Sequence, residues 1–279
     1  MISPARLRRR LARTWRRLDL ALWETLHPLR PAELLDDVIY DVGLHIGQDT
    51  EFYLRKGFRV VAVDANPAVI ESVRARFAKA VAHGRLTLVN VGIAQSESAS
   101  PITFYVNERQ SEWSSFIEEV AARQNSPVHQ VQVSCLPLSR IIAQYGLPYY
   151  VKIDIEEHDA IALQSLLDAG YRPKYLSVEN GNQGMLRKLV DAEYTQFKYI
   201  QQRDIPQLRL PYPSREGRYV KHAFPLGASG PFGEETPGQW LSADAVRRQI
   251  EKVLDPEGRD KNPYHVDAIH GWFDLHARL

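Results

Sequence analysis

Apolar residues in this chain come in short β-branched or aromatic runs, and between the runs they fall at helical spacing. Val38, Ile39 and Tyr40 read as a buried strand closed by Asp41. TEFYLRKG follows as a short helix stopped at Gly57. FRVVAVDA is a second strand, ending in Asp64. NPAVIESVRARFAKAVAHG is the next helix, with Asn66 as its cap and Pro67 in its first turn. RLTLVNVGIA is a third strand. ITFYV and HQVQVSCLPL read as further strands around a helix-like SEWSSFIEEVAARQ. YYVKIDI, KYLSVEN and TQFKYIQQ are more strands, with EEHDAIALQSLLDAG and GMLRKLVDAEY as helices between them. Such alternation over 38–201 predicts an α/β fold: a doubly wound, mostly parallel sheet covered on both faces.

The pattern breaks at both ends. Residues 205–240 hold six prolines and five glycines, too long and too broken for an ordinary connection, and read as a mobile cover over an acceptor site. YVKHAFP inside them reads as a last strand. LSADAVRRQIEKVLDPEG is a late helix that Ser242 can cap. At the other end, seven arginines lie between Arg6 and Arg17, while Leu7, Leu11, Trp15, Leu18 and Leu22 keep helical spacing. This basic amphipathic helix, residues 5–23, has two destinations: packing on its own domain or on a second subunit, or peripheral contact with an anionic membrane surface or charged glycan. The expected regions are a helical extension (1–35), a core (36–202), and a loop-rich C-terminal extension (203–279) within the core's domain.

Bulk properties narrow the partners. Of 279 residues 44% are hydrophobic and 25% charged, and a net charge of +1 gives no strong field for nucleic acid. The single cysteine, Cys135, permits no internal disulfide and reads as a small core residue. No run approaches the roughly 20 apolar residues of a membrane span, and no secretory leader is evident. The expectation is a cytoplasmic protein without a transmembrane segment.

The first turn carries the chemistry. Gly43 and Gly47 follow Asp41, and Asp64 closes the second strand 21 residues after Gly43. An acid there can accept hydrogen bonds from two ribose hydroxyls. A dinucleotide fingerprint needs more glycines, and the Asp41 carboxylate would repel a pyrophosphate. A carboxylate suits an ammonium or sulfonium group instead, which favours S-adenosylmethionine over NAD. At the other functional edge Asp154 and Glu156 follow YYVKI, while Glu179 and Asn180 follow YLSV. Glu157 and Asp159 read as ordinary first-turn acids. Lys152 reads as structural, directed away from Asp154. His222, His265, His270 and His276 read as packed or solvated, and Trp113, Trp240 and Trp272 as packing residues.

YDVGLHIGQDT, VVAVDANP, VNVGIA, YVKIDIEEHDAIALQSLLDAGY and LSVEN, in that order over roughly 36–202, resemble the FkbM family of S-adenosylmethionine-dependent methyltransferases. GASGPFGEETPGQW and WFDLHA also look like the tail of some bacterial members. His45 stands where the family often has Asn, and IEEHD where VEGAE is usual. The resemblance implies a Rossmann-like class I methyltransferase fold and O-methylation of a small-molecule or glycan acceptor. The expected cofactor site is Asp41, Gly43, His45, Gly47, Thr50, Asp64, Asn66, Asn90 and Val91, with adenine near 90–92. The expected catalytic residues are Asp154 or Glu156 as base, assisted by His158. In a second scheme Asp154, Glu179 and Asn180 hold Mg2+ or Mn2+. Two other readings are a non-catalytic cofactor-binding module and an NAD-dependent oxidoreductase.

Overall fold

The computed structural model describes residues 34–156, 158–254 and 272–279. The basic helix at 5–23, Glu157, His265 and His270 lie outside them. Residues 34–279 form one compact unit.

In chain order the strands are β1 (Leu34–Val42), β2 (Arg59–Asp64), β3 (Leu86–Asn90), β4 (Gly92–Ile93), β5 (Ile102–Asn107), β6 (Val128–Val133), β7 (Cys135–Leu136), β8 (Leu147–Ile153), β9 (Tyr175–Glu179), β10 (Gln196–Gln201) and β11 (Phe273–Arg278). The helices are α1 (Gln48–Lys56), α2 (Pro67–Arg76), α3 (Ala78–Ala82), α4 (Glu118–Ala121), α5 (Leu138–Tyr145), α6 (Asp159–Asp168), α7 (Gln183–Asp191) and α8 (Ala243–Val253). Seven strands make one sheet in the order β10-β11-β9-β8-β1-β2-β3. β3, β2, β1, β8 and β9 pair in parallel, and β11 runs antiparallel between β9 and β10. The doubly wound, mostly parallel sheet is therefore as the alternation predicts. The chain winds outward from β1 in one direction and from β8 in the other. Their carboxyl ends, at Val42 and Ile153, are the switch point where such sheets bind ligands.

Caps follow sequence. The Asn66 side chain accepts from the Ala68 amide at the start of α2, and Ser242 accepts from Ala245 at the start of α8. Other expectations need correction. YVKHAFP is not a strand. The sheet's remaining strand is β11, FDLHAR, which alternates apolar and polar residues and whose Asp274 and His276 are buried along with its apolar face. The helix expected over 111–124 is broken into a 3-10 turn at Ser111–Trp113 and the single turn of α4, because Ser115 leaves to pair with Tyr105.

Residues 205–240 are irregular, yet Ile205, Phe224 and the stretch 228–233 are core, so the segment is not a tethered cover. Phe232 is fully buried and packs on Tyr53, Phe58 and Tyr150, with ring centroids 5.1–5.4 Å apart. Ile205, Phe224 and Ala228 join the same cluster. A segment that buries aromatics this fully cannot lift away without exposing them to water. It is a strap, and within it only Pro225, Leu226 and Gly227 reach the cleft described next.

Candidate active site

The turn after β1 is held from both sides. The Gly43 and Leu44 amides both donate to the Val63 carbonyl, at 3.0 and 3.1 Å. Gly43 has φ +92°, and a Cβ there would stand 1.6 Å from the Asp154 carbonyl oxygen. Only glycine fits, because β1 and β8 approach so closely at the switch point. Gly47 has φ +80° and caps α1. His45 is also left-handed, at φ 47°, a conformation Asn and His tolerate better than most residues. Its ring reaches Ser111 Oγ at 2.9 Å and Glu112 at 3.6 Å. Burial pushes its pKa down.

Asp64 ties this turn to β2. Its Oδ2 accepts from the His45 amide at 3.0 Å and its Oδ1 from the Asn66 amide at 2.8 Å. A carboxylate has about four acceptor positions, so two remain. Burial outweighs both bonds and pushes the carboxyl up to about 6.

A cleft of about 1160 Å³, counted to its open mouth, runs from Asp64 past Gly43 to Glu179. Of the residues expected from sequence, Gly43, His45, Asp64, Asn66, Val91, Asp154, Glu156, His158 and Glu179 line it. Asp41, Gly47, Thr50, Asn90 and Asn180 do not line it. Thr50 Oγ1 donates to Asp41 Oδ2 at 2.6 Å, and Asn90 donates to the carbonyls of Asp64 and Ala65. Five carboxylates line the cleft (Asp64, Glu112, Asp154, Glu156, Glu179) against one ammonium.

That ammonium belongs to Lys152, which corrects its reading as a bystander. Residues 152 and 154 are two apart and share a face of the chain. Lys152 Nζ donates to the Gly43 carbonyl at 2.8 Å and lies 3.3 Å from Asp41, 3.4 Å from Asp154 and 3.8 Å from Asp49. Burial works to lower its pKa, but the carboxylates, Asp154 foremost, hold it well above the ordinary lysine value. Burial pushes Asp49 up to about 7. The Asp41, Asp49 and Lys152 side chains are all buried.

Around the rim, Glu156 Oε1 accepts from Arg123 at 2.9 Å. His158 Nδ1 lies 3.0 Å from the Ile93 carbonyl, and a carbonyl only accepts, so Nδ1 carries the proton. The His158 ring stacks on Phe116 at 4.9 Å and 24°. Glu179 is buried at the end of β9, and burial and then Asp154 push its carboxyl well above the usual range. Gln202 Nε2 bridges it to Asp274 of β11, at 3.4 and 2.9 Å. Lys152, Gln202 and Trp272 line the cleft without having been expected there, and Pro225, Leu226 and Gly227 of the expected cover also line it. Only WFDLHA, among the tail motifs, carried a signal for Trp272.

The set Asp154, Glu179 and Asn180 does not fit a divalent cation. The Asn180 amide nitrogen, a donor that cannot ligate a cation, turns toward Glu179 Oε2 at 3.4 Å, and the other Glu179 oxygen accepts from Gln202 at 3.4 Å. Among the described residues no group of three His, Cys, Asp or Glu is placed to share an ion. Cys135 is buried, its thiol pushed up to about 11 by burial.

Fold and site define a doubly wound α/β protein with an acidic cleft at its switch point. Residues 41–212 match the Methyltransferase FkbM domain, and the chain belongs to that methyltransferase family. Among solved structures it is similar to a SAM-dependent O-methyltransferase from Thermotoga maritima (9% identity, TM-score 0.33). That likeness covers 94% of this chain but only 64% of that one. It is likewise similar to a SAM-dependent methyltransferase from Archaeoglobus fulgidus (11% identity, TM-score 0.36; 95% of this chain, 94% of that one). No protein of curated function matches the chain. Among the described residues no helix is long and apolar enough to cross a membrane.

Proposed function

We propose that this protein transfers the methyl group of S-adenosylmethionine to a hydroxyl of a glycan or small metabolite, with His158 taking the proton. One observation carries the reading: Asp64 at the end of β2 and the acids at the ends of β8 and β9 line a single cleft at the switch point. The two remaining acceptor positions of Asp64 suit two ribose hydroxyls. Of the five acids lining the cleft Glu179 is held toward its neutral form, and the other four against one ammonium still favour a ligand carrying ammonium and sulfonium charge and disfavour the pyrophosphate of NAD. Family membership supports S-adenosylmethionine as donor; bound there, it supplies an activated methyl group. Gly43, His45, Asp64, Asn66 and Val91 would hold it.

The chain's own residues then place the acceptor and receive its proton. Asp154 is paired with Lys152 and Glu156 with Arg123, which suits both to orienting a hydroxyl. His158 keeps Nε2 as its basic nitrogen, in a ring fixed by Ile93 and Phe116. As the acceptor oxygen gains the methyl group, its proton passes to that nitrogen. Calorimetry with S-adenosylhomocysteine and NAD, followed by release of S-adenosylhomocysteine from a panel of sugars and hydroxylated metabolites, tests the reading. Homocysteine-form binding with turnover supports it. Binding without turnover moves the protein to a non-catalytic cofactor module, and binding of NAD alone overturns it.

A further inference from the structure

The ammonium of Lys152 touches two parts of the site at once. It bonds the Gly43 carbonyl in the turn expected to hold the cofactor, and it pairs with Asp154 at the rim where the acceptor would bind. Behind it stand Asp41 of β1 and Asp49 of α1. The Asp49 carboxylate in turn accepts from the Ser229 amide at 3.2 Å, which brings the strap to the same point. One cation therefore gathers β1, α1, β8 and the strap. One oxygen of Asp49 is buried without a hydrogen-bond partner, and the Asp41 oxygen facing the ammonium has only that ion pair, at 3.3 Å. A group placed for stability alone would leave fewer loose ends, since an unsatisfied buried polar atom costs about 1–3 kcal/mol.

Resting on the methyl-transfer reading, we infer that Lys152 is a positioning residue, whose ammonium fixes the Gly43 carbonyl and the Asp154 carboxylate to a common point so that cofactor turn and acceptor rim keep one spacing. The groups facing it are Asp41, Asp49 and Asp154. His45, Asp64 and Asp274 lie within its field, Asp159 and Glu179 lie in that of Asp154, and Glu156 acts on the same two acids. Without the ammonium, Asp41, Asp49 and Asp154 repel one another when ionised, and the turn loses its anchor. Both effects spoil the site more as pH rises.

The test is S-adenosylhomocysteine affinity by calorimetry from pH 5.5 to 8.5, on wild type, Lys152→Met and the charge-balanced Lys152→Met/Asp49→Asn. Wild type must bind; failure there removes the methyl-transfer reading itself and is separate from what the variants report. In Lys152→Met, affinity at pH 8 should fall about tenfold or more and recover on acidification, opposite in sign to the wild-type trend that Asp64 imposes. The double variant loses one charge of each sign, so it keeps the wild-type net charge at this point and is the measurement to use if Lys152→Met does not fold. It should still bind about tenfold more weakly, because Gly43 and Asp154 remain unanchored. Wild-type affinity and pH trend in either variant would overturn the inference and leave Lys152 a structural ion-pair partner.

Discussion

Two buried lysines in this molecule are satisfied in opposite ways. Lys56, at the end of α1, gives its three donors to Ser214 Oγ at 2.6 Å and to both oxygens of Glu235 at 2.9 and 2.7 Å. Glu235 Oε1 also accepts from the amides of Arg215 and Glu216 and from Ser214 Oγ. That is one cation, one anion and every nearby donor used. Lys152 faces three carboxylates, and one buried oxygen of Asp49 has no hydrogen bond. The balanced pair pins the strap to α1, far from the lining of the cleft. The unbalanced quartet sits under the cleft floor. Burying a charge is tolerable when it is fully matched. An excess of charge left in a buried place marks where a charged ligand or reaction is to be met.

The sharpest break comes at Gly43. Gly43→Val puts a side chain into the Asp154 backbone, not merely toward a ligand, and should abolish folded protein as seen by circular dichroism and soluble yield. Lys56→Met leaves Glu235 buried and unpaired. It should destabilise by about 3–5 kcal/mol in chemical denaturation, while S-adenosylhomocysteine affinity per folded molecule stays as in wild type. A matching loss of affinity would erase the distinction between the two lysines. Asp64→Ala should weaken S-adenosylhomocysteine binding by about 1.5–3 kcal/mol with the melting temperature little changed. Unchanged affinity would remove Asp64 from the ribose.

The pH trend is smaller. The Asp64 carboxyl sits at about 6 in the folded protein, raised by burial from the ordinary aspartate range near 3.9. Below 6 it is protonated and offers one acceptor fewer; above 6 it is ionised and accepts fully. Affinity should therefore rise from pH 5 to pH 7 and level off, and Asp64→Asn should flatten the curve. A raised acid also means that stability falls as pH climbs from about 4 to about 6, and holds beyond. Treatment with EDTA should change turnover least of all. Loss of activity that Mg2+ restores would return Asp154 and Glu179 to the role of cation ligands.

What could be read in the sequence was what is local. Gly43, Gly47 and Asp64 lie within one strand–turn–helix–strand unit, so their spacing alone places them at the switch point. The caps Asn66 and Ser242 act within three residues of themselves. Lys152 was misread although its partner Asp154 is two residues away, because the decisive contact, the Gly43 carbonyl, comes from 109 residues upstream. Phe232 gave no sign of being core, since a proline- and glycine-rich segment shows no periodicity whether it packs or floats. FDLHAR alternates apolar and polar residues as a strand should, but the stretch is short and isolated, and its polar Asp274 and His276 are buried rather than facing solvent.

β11 has a consequence for how the protein is made. It is threaded between β9 and β10, yet it is translated after both of them and after α8. On the ribosome β9 and β10 emerge with no strand between them, and each keeps a raw edge toward the other until residues 273–278 leave the exit tunnel. Trp272 and Asp274 arrive with the same segment, so the far end of the cleft is finished last. A nascent chain can shape the Asp64 end early, but it cannot present the whole cleft before the sheet is sealed.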